Sequence, residues 1–209
     1  MGHEMTMIPQ RPTGTNRPVV TIKLASTSDE LLQCYALRAA VFMGEQQCPY
    51  WEEFDGNDYT ASHLMLYVDG EPAASMRVRW FANFAKLERA IILKRYRSMG
   101  LFIPFVEWAK EFCRKKGYPK AYLHGQQRLW KIFEKDGFRR INDKPFHFSD
   151  HEYGAFVCDL AVGDDCPTVF TDPMVLNRPE DQLDKAGILE ESMERGASNP
   201  HAEWAEKRA

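Results

Sequence analysis

The step from strand to helix within residues 85–117 constrains the fold of this chain more than any other feature. A β-branched run, AKLERAIIL, is followed by a turn containing RSMG (97–100) and then by the amphipathic run LFIPFVEWAKEFCRKKG. The apolar spacing predicts a helix that Gly117 ends, and Pro104 fits its first turn, where N–H groups lack helical partners. A loop whose backbone N–H groups contact a phosphate would need Gly100. An ordinary strand-to-helix turn is the alternative.

The rest of the chain alternates between strand and helix patterns. VVTIKL predicts a strand, and a helix capped by Ser28 or Asp29 follows it to about Gly44. Two apolar runs around Asp69-Gly70 predict a hairpin. A strand at AYLHG, a short helix at RLWKIFEKD and two closing strands follow. The order β, α, β, β, β, α, β, α, β, β predicts an α/β (α+β) sandwich with a mixed sheet flanked by helices.

Composition excludes several classes of protein. The net charge of -3 gives no support for nucleic acid as the main partner. The five cysteines are odd in number and widely spaced without a CxxC, which argues against a disulfide framework or a zinc site. No window is long and apolar enough for a membrane span, and residues 1–18 form a polar leader. We therefore expect a cytoplasmic protein with no membrane partner.

Charged residues suggest where a substrate could bind. Arg77 and Arg79 alternate with apolar residues in one strand, so both lie on one face of the sheet, either solvated or lining an anion-binding groove. The predicted loop 45–58 adds Trp51 and Asp55, which could hold a cationic acceptor. A solvated loop with a turn at Asp55-Gly56 is the alternative.

Three longer segments resemble one family. LRAAVFMGEQQCPYWEEFDGND is similar to the LRxxVFxxEQxCPYxExDGxD segment of the ElaA-like branch of the GNAT superfamily of N-acetyltransferases. KLERAIILKRYRSMGL resembles that superfamily's ERxxVxPxYRxxGxG stretch, and LHGQQRLWKIFEKDGF resembles its LxxQxHLxxFYxxxGF stretch. The resemblance covers residues 19–160 and implies a splayed sheet. Residues 161–209 form a C-terminal extension, predicted to be helical from Pro179 and at HAEWAEKRA, that packs on this domain, on a homodimer partner or across the acceptor cleft.

The resemblance implies that acetyl-CoA, or another acyl-CoA, is the cofactor. It implies strand backbone along the pantetheine arm and a turn that presents N–H groups to the pyrophosphate. The cofactor-binding residues so implied are Ala90, Ile91, Ile92, Leu93, Arg97, Ser98, Met99, Gly100, Leu101, Phe102, Gln126 and Phe133. Two of these depart from the family pattern. Phe102 replaces a Gly or Ala, and Phe133 replaces a tyrosine that often protonates the leaving thiolate, which a phenyl ring cannot do.

Two residues are candidates for the base that deprotonates the acceptor amine. Glu45 is the first, because the ElaA-like segment has a Glu there, and a local capping role is its alternative. His124 is the second, since its ordinary pKa lies near neutrality, and a structural role is its alternative. We expect Trp51, Asp55 and the two strand arginines to contact the acceptor, a small-molecule amine or a peptide amine.

Three functions are consistent with these residues. The first is an acyl-CoA-dependent N-acyltransferase that acts by direct attack in a ternary complex. The second is an enzyme like the acyl-homoserine lactone and acyl-amino-acid synthases, with a longer acyl donor, which the bulk of Phe102 would suit. The third is a non-catalytic acyl-CoA-binding module, motivated by Phe133.

Overall fold

A mixed β-sheet forms the centre of the protein, in a computed structural model that describes residues 17–141, 144–148 and 151–193. Its strands are β1 (Val20–Leu24), β2 (Ser62–Val68), β3 (Glu71–Trp80), β4 (Ala85–Ile92), β5 (Lys120–Gln126), β6 (Arg139–Arg140), β7 (Phe146–Phe148) and β8 (His151–Asp159). They lie in the order β1-β2-β3-β4-β5-β8-β6, with β7 also paired to β8. Among the strands described, β4 and β5 form the parallel pair and all other neighbours are antiparallel. The predicted mixed sheet flanked by helices is confirmed.

Helices pack on both faces of this sheet. They are α1 (Ser28–Arg38), α2 (Tyr50–Glu53), α3 (Phe102–Lys115), α4 (Trp130–Lys135) and α5 (Ile188–Glu191), with 3-10 helices at Lys94–Met99, Gln127–Leu129 and Val175–Asn177. The α1 cap is Thr27, whose hydroxyl accepts from the N–H of Glu30 in a capping box. The expectation of a cap at Ser28 or Asp29 is therefore wrong by one or two residues.

The first helical segment ends at Glu45, close to the expected end at about Gly44, but its last part has an unexpected geometry. After α1 the chain continues as a π-helix over Ala39–Glu45, and α2 interrupts the predicted loop 45–58. Gln47, just beyond the π-helix, has a φ of 56°. A π-helix and a left-handed non-glycine residue are uncommon conformations that tend to occur at functional sites.

The two faces of the sheet bury different sets of apolar side chains. Ala85, Leu87, Ala121 and Leu123 belong to the larger core, which packs against α3. Met65 and Ile91 belong to a smaller core that includes Cys34 and Leu37 of α1. The register of β4 shifts next to Arg89, whose φ is 52°. Ile91 and Ile92 pack in different cores, because successive strand residues point to opposite faces of the sheet.

The C-terminal extension is less helical than expected. The structure has the 3-10 helix Val175–Asn177 and the short α5, so the expectation of a helix starting at Pro179 is wrong. The predicted helix at HAEWAEKRA lies outside the described residues. The backbone N–H of Leu24 donates to Asp181 Oδ2 at 3.2 Å, so the extension packs on the sheet domain. None of the helices described here is long and apolar enough to cross a membrane.

Candidate active site

Strands β4 and β5 separate part-way along their length. They pair in parallel for three residues only, the last pair joining Leu87 and Leu123. Beyond that pair, the backbone from Arg89 to Ile92 has no strand partner on the side of β5 among the residues that the structure describes. We call this gap the splay. It offers peptide N–H and C=O groups to a ligand, since an unpaired strand edge presents free donors and acceptors, and only its last carbonyl, that of Ile92, is engaged by a side chain among the described residues.

The turn after β4 brings a helix N-terminus to the open end of this strand. The 3-10 segment Lys94–Met99 leads through Gly100 into α3, and Arg97 Nε donates to the carbonyl of Ile92 at 2.9 Å. No side chain caps α3 among the described residues. Its first N–H groups and the positive end of its dipole are therefore available to an anion.

The structure gives a conformational reason for the glycine of this turn. Gly100 has a φ of 69°, which is unfavourable for residues with a Cβ. A Cβ built on Gly100 meets no protein atom within 4 Å, so the protein does not crowd this position. The space above the turn is open to a ligand.

Glu45, the first candidate base, lies beside this turn. Its carboxylate accepts a hydrogen bond from Arg97 Nη2 at 2.6 Å, and both side chains are partly exposed. The pair joins the end of the π-helix to the turn after β4. Because a guanidinium already engages the Glu45 carboxylate, its role as the base stays a prediction.

His124, the second candidate base, lies at the first position of β5 beyond the last pair with β4. Its Nε2 is 2.6 Å from the hydroxyl of Tyr122, and Nδ1 has no hydrogen bond to the described residues. Desolvation of the imidazole, and then repulsion from the Lys86 ammonium, lower the pKa of His124 below the ordinary 6.5. The ring is therefore neutral at pH 7 and can accept a proton.

Three predicted cofactor contacts lie around the far side of the splay. Gln126 ends β5, where its side chain donates to Tyr153 Oη at 3.1 Å and accepts from Arg128 Nε at 2.8 Å. Phe133 is 5% exposed and packs 5.9 Å from the ring of Phe102, between ring centroids. Both phenyl rings belong to the core beneath α3, so Phe133 supplies no polar group to the splay and contact with the cofactor stays a prediction.

A group of ion pairs, here called the arginine network, joins α1, the loop 52–58, β3 and β4. Its members are Arg38, Arg77, Arg89, Glu53, Asp55, Asp58 and Glu88. Arg77 is fully buried and donates to Asp55 at 2.7 and 2.8 Å and to Asp58 at 2.9 Å. Arg77 Nε also donates to Glu88 at 2.9 Å. The central guanidinium thus contacts three carboxylates.

Two further arginines attach the loop from either side. Arg38 is fully buried and lies 2.5 Å from the Glu53 carboxylate and 2.6 Å from Asp58. Arg89, at the register shift of β4, lies 3.1 Å from Glu53 and donates to the carbonyl of Glu52 at 2.5 Å. The network therefore holds this loop against the sheet, so the alternative of a solvated loop does not apply to Glu53 and Asp58.

This network corrects one expectation about substrate contacts and bears on a second. Arg77 cannot be solvated or line a groove, because it is buried and surrounded by carboxylates. Asp55 is engaged by Arg77: burial alone would raise the pKa of Asp55, but the hydrogen bonds from Arg77 outweigh it and hold that pKa well below its usual range. Contact between Asp55 and a cationic acceptor therefore stays a prediction, in which the acceptor would share this carboxylate with Arg77. Arg79 is only partly buried, and Trp51 is 75% exposed, so their substrate contacts stay predictions.

Sequence reasoning missed three side chains of this region. Tyr122 has a signal in the sequence, since it shares one face of β5 with His124 at period two. Arg38 lies on the apolar face predicted for the first helix, where a charge predicts a buried partner. Arg89 has no comparable signal, because a register shift in the strand decides where it points.

Known proteins resemble this chain in sequence and in fold. No family model matches it. A Bacillus subtilis protein named as an acetyltransferase is 32% identical over 128 residues, which cover 60% of this chain and 87% of that protein. Another protein of that organism, named as an uncharacterized N-acetyltransferase, is 27% identical and covers 59% and 88% of the two chains.

Solved structures give the same result for the fold. An acyl-CoA N-acyltransferase from Pseudomonas aeruginosa superposes with a TM-score of 0.61 at 25% identity over 68% of this chain and 99% of its own. Escherichia coli ElaA superposes with a TM-score of 0.60 at 20% identity, over the same shares of the two chains. A GNAT family acetyltransferase from Elizabethkingia anophelis, solved with acetyl-CoA bound, gives 0.55 at 13% identity over 68% and 98%. With the splay, the turn and these relatives together, the chain belongs to the GNAT superfamily of N-acetyltransferases, as its sequence segments predict.

Proposed function

We propose that the protein transfers an acetyl group from acetyl-CoA to a primary amine by direct attack in a ternary complex. The observation that carries this proposal is the meeting of the splay with the N-terminus of α3 at a left-handed glycine. The first feature suits an extended, hydrogen-bonding chain and the second suits a phosphate. One acyl-CoA molecule contains both groups.

The residues present fit such a cofactor. The backbone of β4 from Arg89 to Ile92 would hold the pantetheine arm, and the N–H groups of Gly100, Leu101 and Phe102 would hold the pyrophosphate. Bound acetyl-CoA supplies the acetyl group as a thioester, which an amine can attack. The acetyl-CoA-bound relative supports this choice of cofactor for the fold.

His124 is the base that this geometry favours. The hydrogen bond to Tyr122 involves Nε2, so a tautomer whose Nε2–H donates to that hydroxyl leaves the lone pair of Nδ1 for the proton of the amine. Holding the amine and the thioester together in one complex supplies the rest of the rate enhancement. Phe133 offers no proton to the departing thiolate. A thiol has an ordinary pKa of about 8.5, so its anion can leave without a proton donor.

Replacing Gly100 by alanine tests the cofactor site. We expect the dissociation constant for acetyl-CoA to rise at least about fivefold, because the strained turn moves N–H groups that donate to charged phosphate oxygens. Isothermal titration calorimetry with acetyl-CoA measures this. Gly117→Ala is the matched control, since Gly117 also has a positive φ (86°) and lies at the opposite end of α3. An unchanged dissociation constant for Gly100→Ala would remove the phosphate assignment.

Binding and turnover together distinguish the two alternative functions. In calorimetry, tighter binding of octanoyl-CoA than of acetyl-CoA would favour the synthase-like reaction with a longer donor. Binding of acetyl-CoA in calorimetry, with no transfer to any amine in a turnover assay, would favour the non-catalytic module.

A cytoplasmic location remains part of this proposal and rests on the pattern of cysteine use in the sequence. The division at residue 160 and a homodimer stay predictions.

A further inference from the structure

A row of aromatic rings crosses the sheet beside the splay. We call it the aromatic strip, and its members are Phe81, Phe84, Tyr122, His124, Phe146, Tyr153 and Phe148. Successive ring centroids lie 4.7, 5.5, 5.2, 4.9, 5.7 and 6.5 Å apart in that order. Each ring therefore contacts the next, and His124 lies near the middle of the row.

The strip lies on the accessible side of β5. Ala121 and Leu123 of this strand are buried in the core beneath α3, so Tyr122 and His124, which alternate with them, point to the opposite face. Phe146 and Phe148 remain 38% and 53% exposed. A row of partly exposed large rings next to an active site is unusual for a surface and is typical of a binding site for an apolar group.

The charges around the site argue against a polycationic acceptor. Glu53, Asp55 and Asp58 of the acidic loop are already paired with arginines of the network. The strip itself has cations beside it. The Arg79 guanidinium lies 5.2 Å from the centroid of the Phe81 ring, and Lys86 lies near His124. Both cations pair with Glu88, at 3.9 and 2.8 Å, so that carboxylate is engaged as well. A second positive charge on the acceptor would therefore find Glu53, Asp55, Asp58 and Glu88 already engaged by cations of the protein.

We infer that the acceptor is a primary amine that carries an aromatic ring, with the ring bound on the strip and the amine beside His124. This inference rests on the proposed acetyl transfer and adds the chemical class of the acceptor. Tyr122 and Phe146, which flank His124, supply offset or edge-to-face contacts to the ring of the acceptor. The acceptor's amine loses its proton to His124, a new C–N bond forms at the acetyl carbon, and the C–S bond breaks with release of the CoA thiolate. The thiolate then takes a proton from solvent, and His124 returns its proton to solvent.

A panel of three amines tests the inference. Full-length protein and acetyl-CoA are mixed with phenethylamine, 2-cyclohexylethylamine or spermidine, and release of the CoA thiol is followed. Saturation-transfer NMR with CoA present measures binding of phenethylamine without any reaction. We expect kcat/KM for phenethylamine to exceed that for the cyclohexyl amine at least about threefold, because the two share an apolar ring and differ in aromaticity.

Variants locate the acceptor ring. Phe146→Leu should raise KM for phenethylamine roughly three- to tenfold, abolish the preference over the cyclohexyl amine and leave acetyl-CoA binding unchanged. Phe170→Leu is the control, because Phe170 is 93% exposed and lies outside the strip. Phe148→Leu is a second variant if Phe146→Leu unfolds, because Phe148 also belongs to the strip and is 53% exposed.

The remaining outcomes separate this inference from the proposed function. Equal use of the cyclohexyl amine, or better use of spermidine, would overturn the aromatic class and leave acetyl transfer established. Acetyl-CoA binding without NMR binding or turnover of phenethylamine would also overturn it. If the proposed acetyl transfer itself is wrong, calorimetry would show no binding of acetyl-CoA.

Discussion

Arg77→Met lowers the free energy of unfolding by about 3–5 kcal/mol at pH 7, the largest stability change expected for a single substitution in this protein. The guanidinium of Arg77 is buried between Asp55, Asp58 and Glu88, and the methionine leaves these carboxylates with fewer compensating charges. Urea denaturation of the variant and the wild type measures the difference.

A surface arginine provides the control for this experiment. Arg95 pairs with Glu71 at 3.9 Å, and both side chains are more than half exposed, so Arg95→Met should change the free energy of unfolding by less than about 0.5 kcal/mol. A difference below about 1 kcal/mol for Arg77→Met would show that the arginine network contributes little to stability.

The free energy of unfolding of the wild type and that of Arg77→Met should depend differently on pH. Although burial opposes it, Arg77 holds the pKa of Asp55 below its unfolded value, and a carboxyl with a depressed folded-state pKa contributes stability above its unfolded pKa. That contribution is lost as the pH falls below about 4. Arg77→Met lacks this contribution at every pH, so we expect the difference in free energy of unfolding between the wild type and the variant to become smaller in acid. Urea denaturation at several pH values measures it. A difference that does not change with pH would contradict the assignment of this contribution to the Arg77–Asp55 pair.

His124→Gln should lower kcat by about two to four orders of magnitude, the largest expected effect on activity. Glutamine can still hydrogen-bond to Tyr122, but it cannot accept the proton of the acceptor. Because the pKa of His124 is lowered, kcat of the wild type should be flat above pH 6.5 and fall below it, as the imidazole becomes protonated. The variant should lack this acid limb. Steady-state kinetics over pH, with the best amine of the panel, measure both.

Two further variants separate the candidate bases. His147→Gln replaces an exposed histidine of β7 and should leave kcat unchanged. Glu45→Gln should change kcat only a few-fold, because its carboxylate is paired with Arg97 rather than free. Loss of activity in Glu45→Gln together with full activity in His124→Gln would assign the proton to Glu45.

Short sequence patterns predicted the β2–β3 hairpin and helix α3, because each of these elements depends on residues within its own segment. The hairpin follows from Asp69-Gly70, whose φ values of 51° and 81° place both residues in the left-handed region that its tight turn needs. The long helix α3 follows from its apolar spacing, and Gly117 follows it as expected. The resemblance to the superfamily then placed the splay between β4 and β5, which periodicity alone cannot locate.

Long-range contacts explain most of what the sequence could not predict. Alternation placed Arg77 on a face of β3, but burial depends on a loop some twenty residues earlier in the chain that folds over that face. The switch from α-helix to π-helix after Arg38 leaves no mark on the apolar spacing, because valine and phenylalanine fit either geometry. Tyr122 and Phe146 both contact the ring of His124. Their strands, β5 and β7, are brought together by pairing with β8, which a sequence pattern does not specify.

The π-helix at Ala39–Glu45 also makes the position of the following loop sensitive to the number of residues in this segment. A π turn contains more residues than an α turn, so deleting one residue here would let the segment rewind as an α-helix. Every carboxylate of the following loop would then shift by one position relative to the arginines of α1, β3 and β4. Among natural relatives, we therefore expect a deletion in the π-helix to be accompanied by an insertion in the loop that follows it. The number of residues between Arg38 and Asp58 would then stay constant.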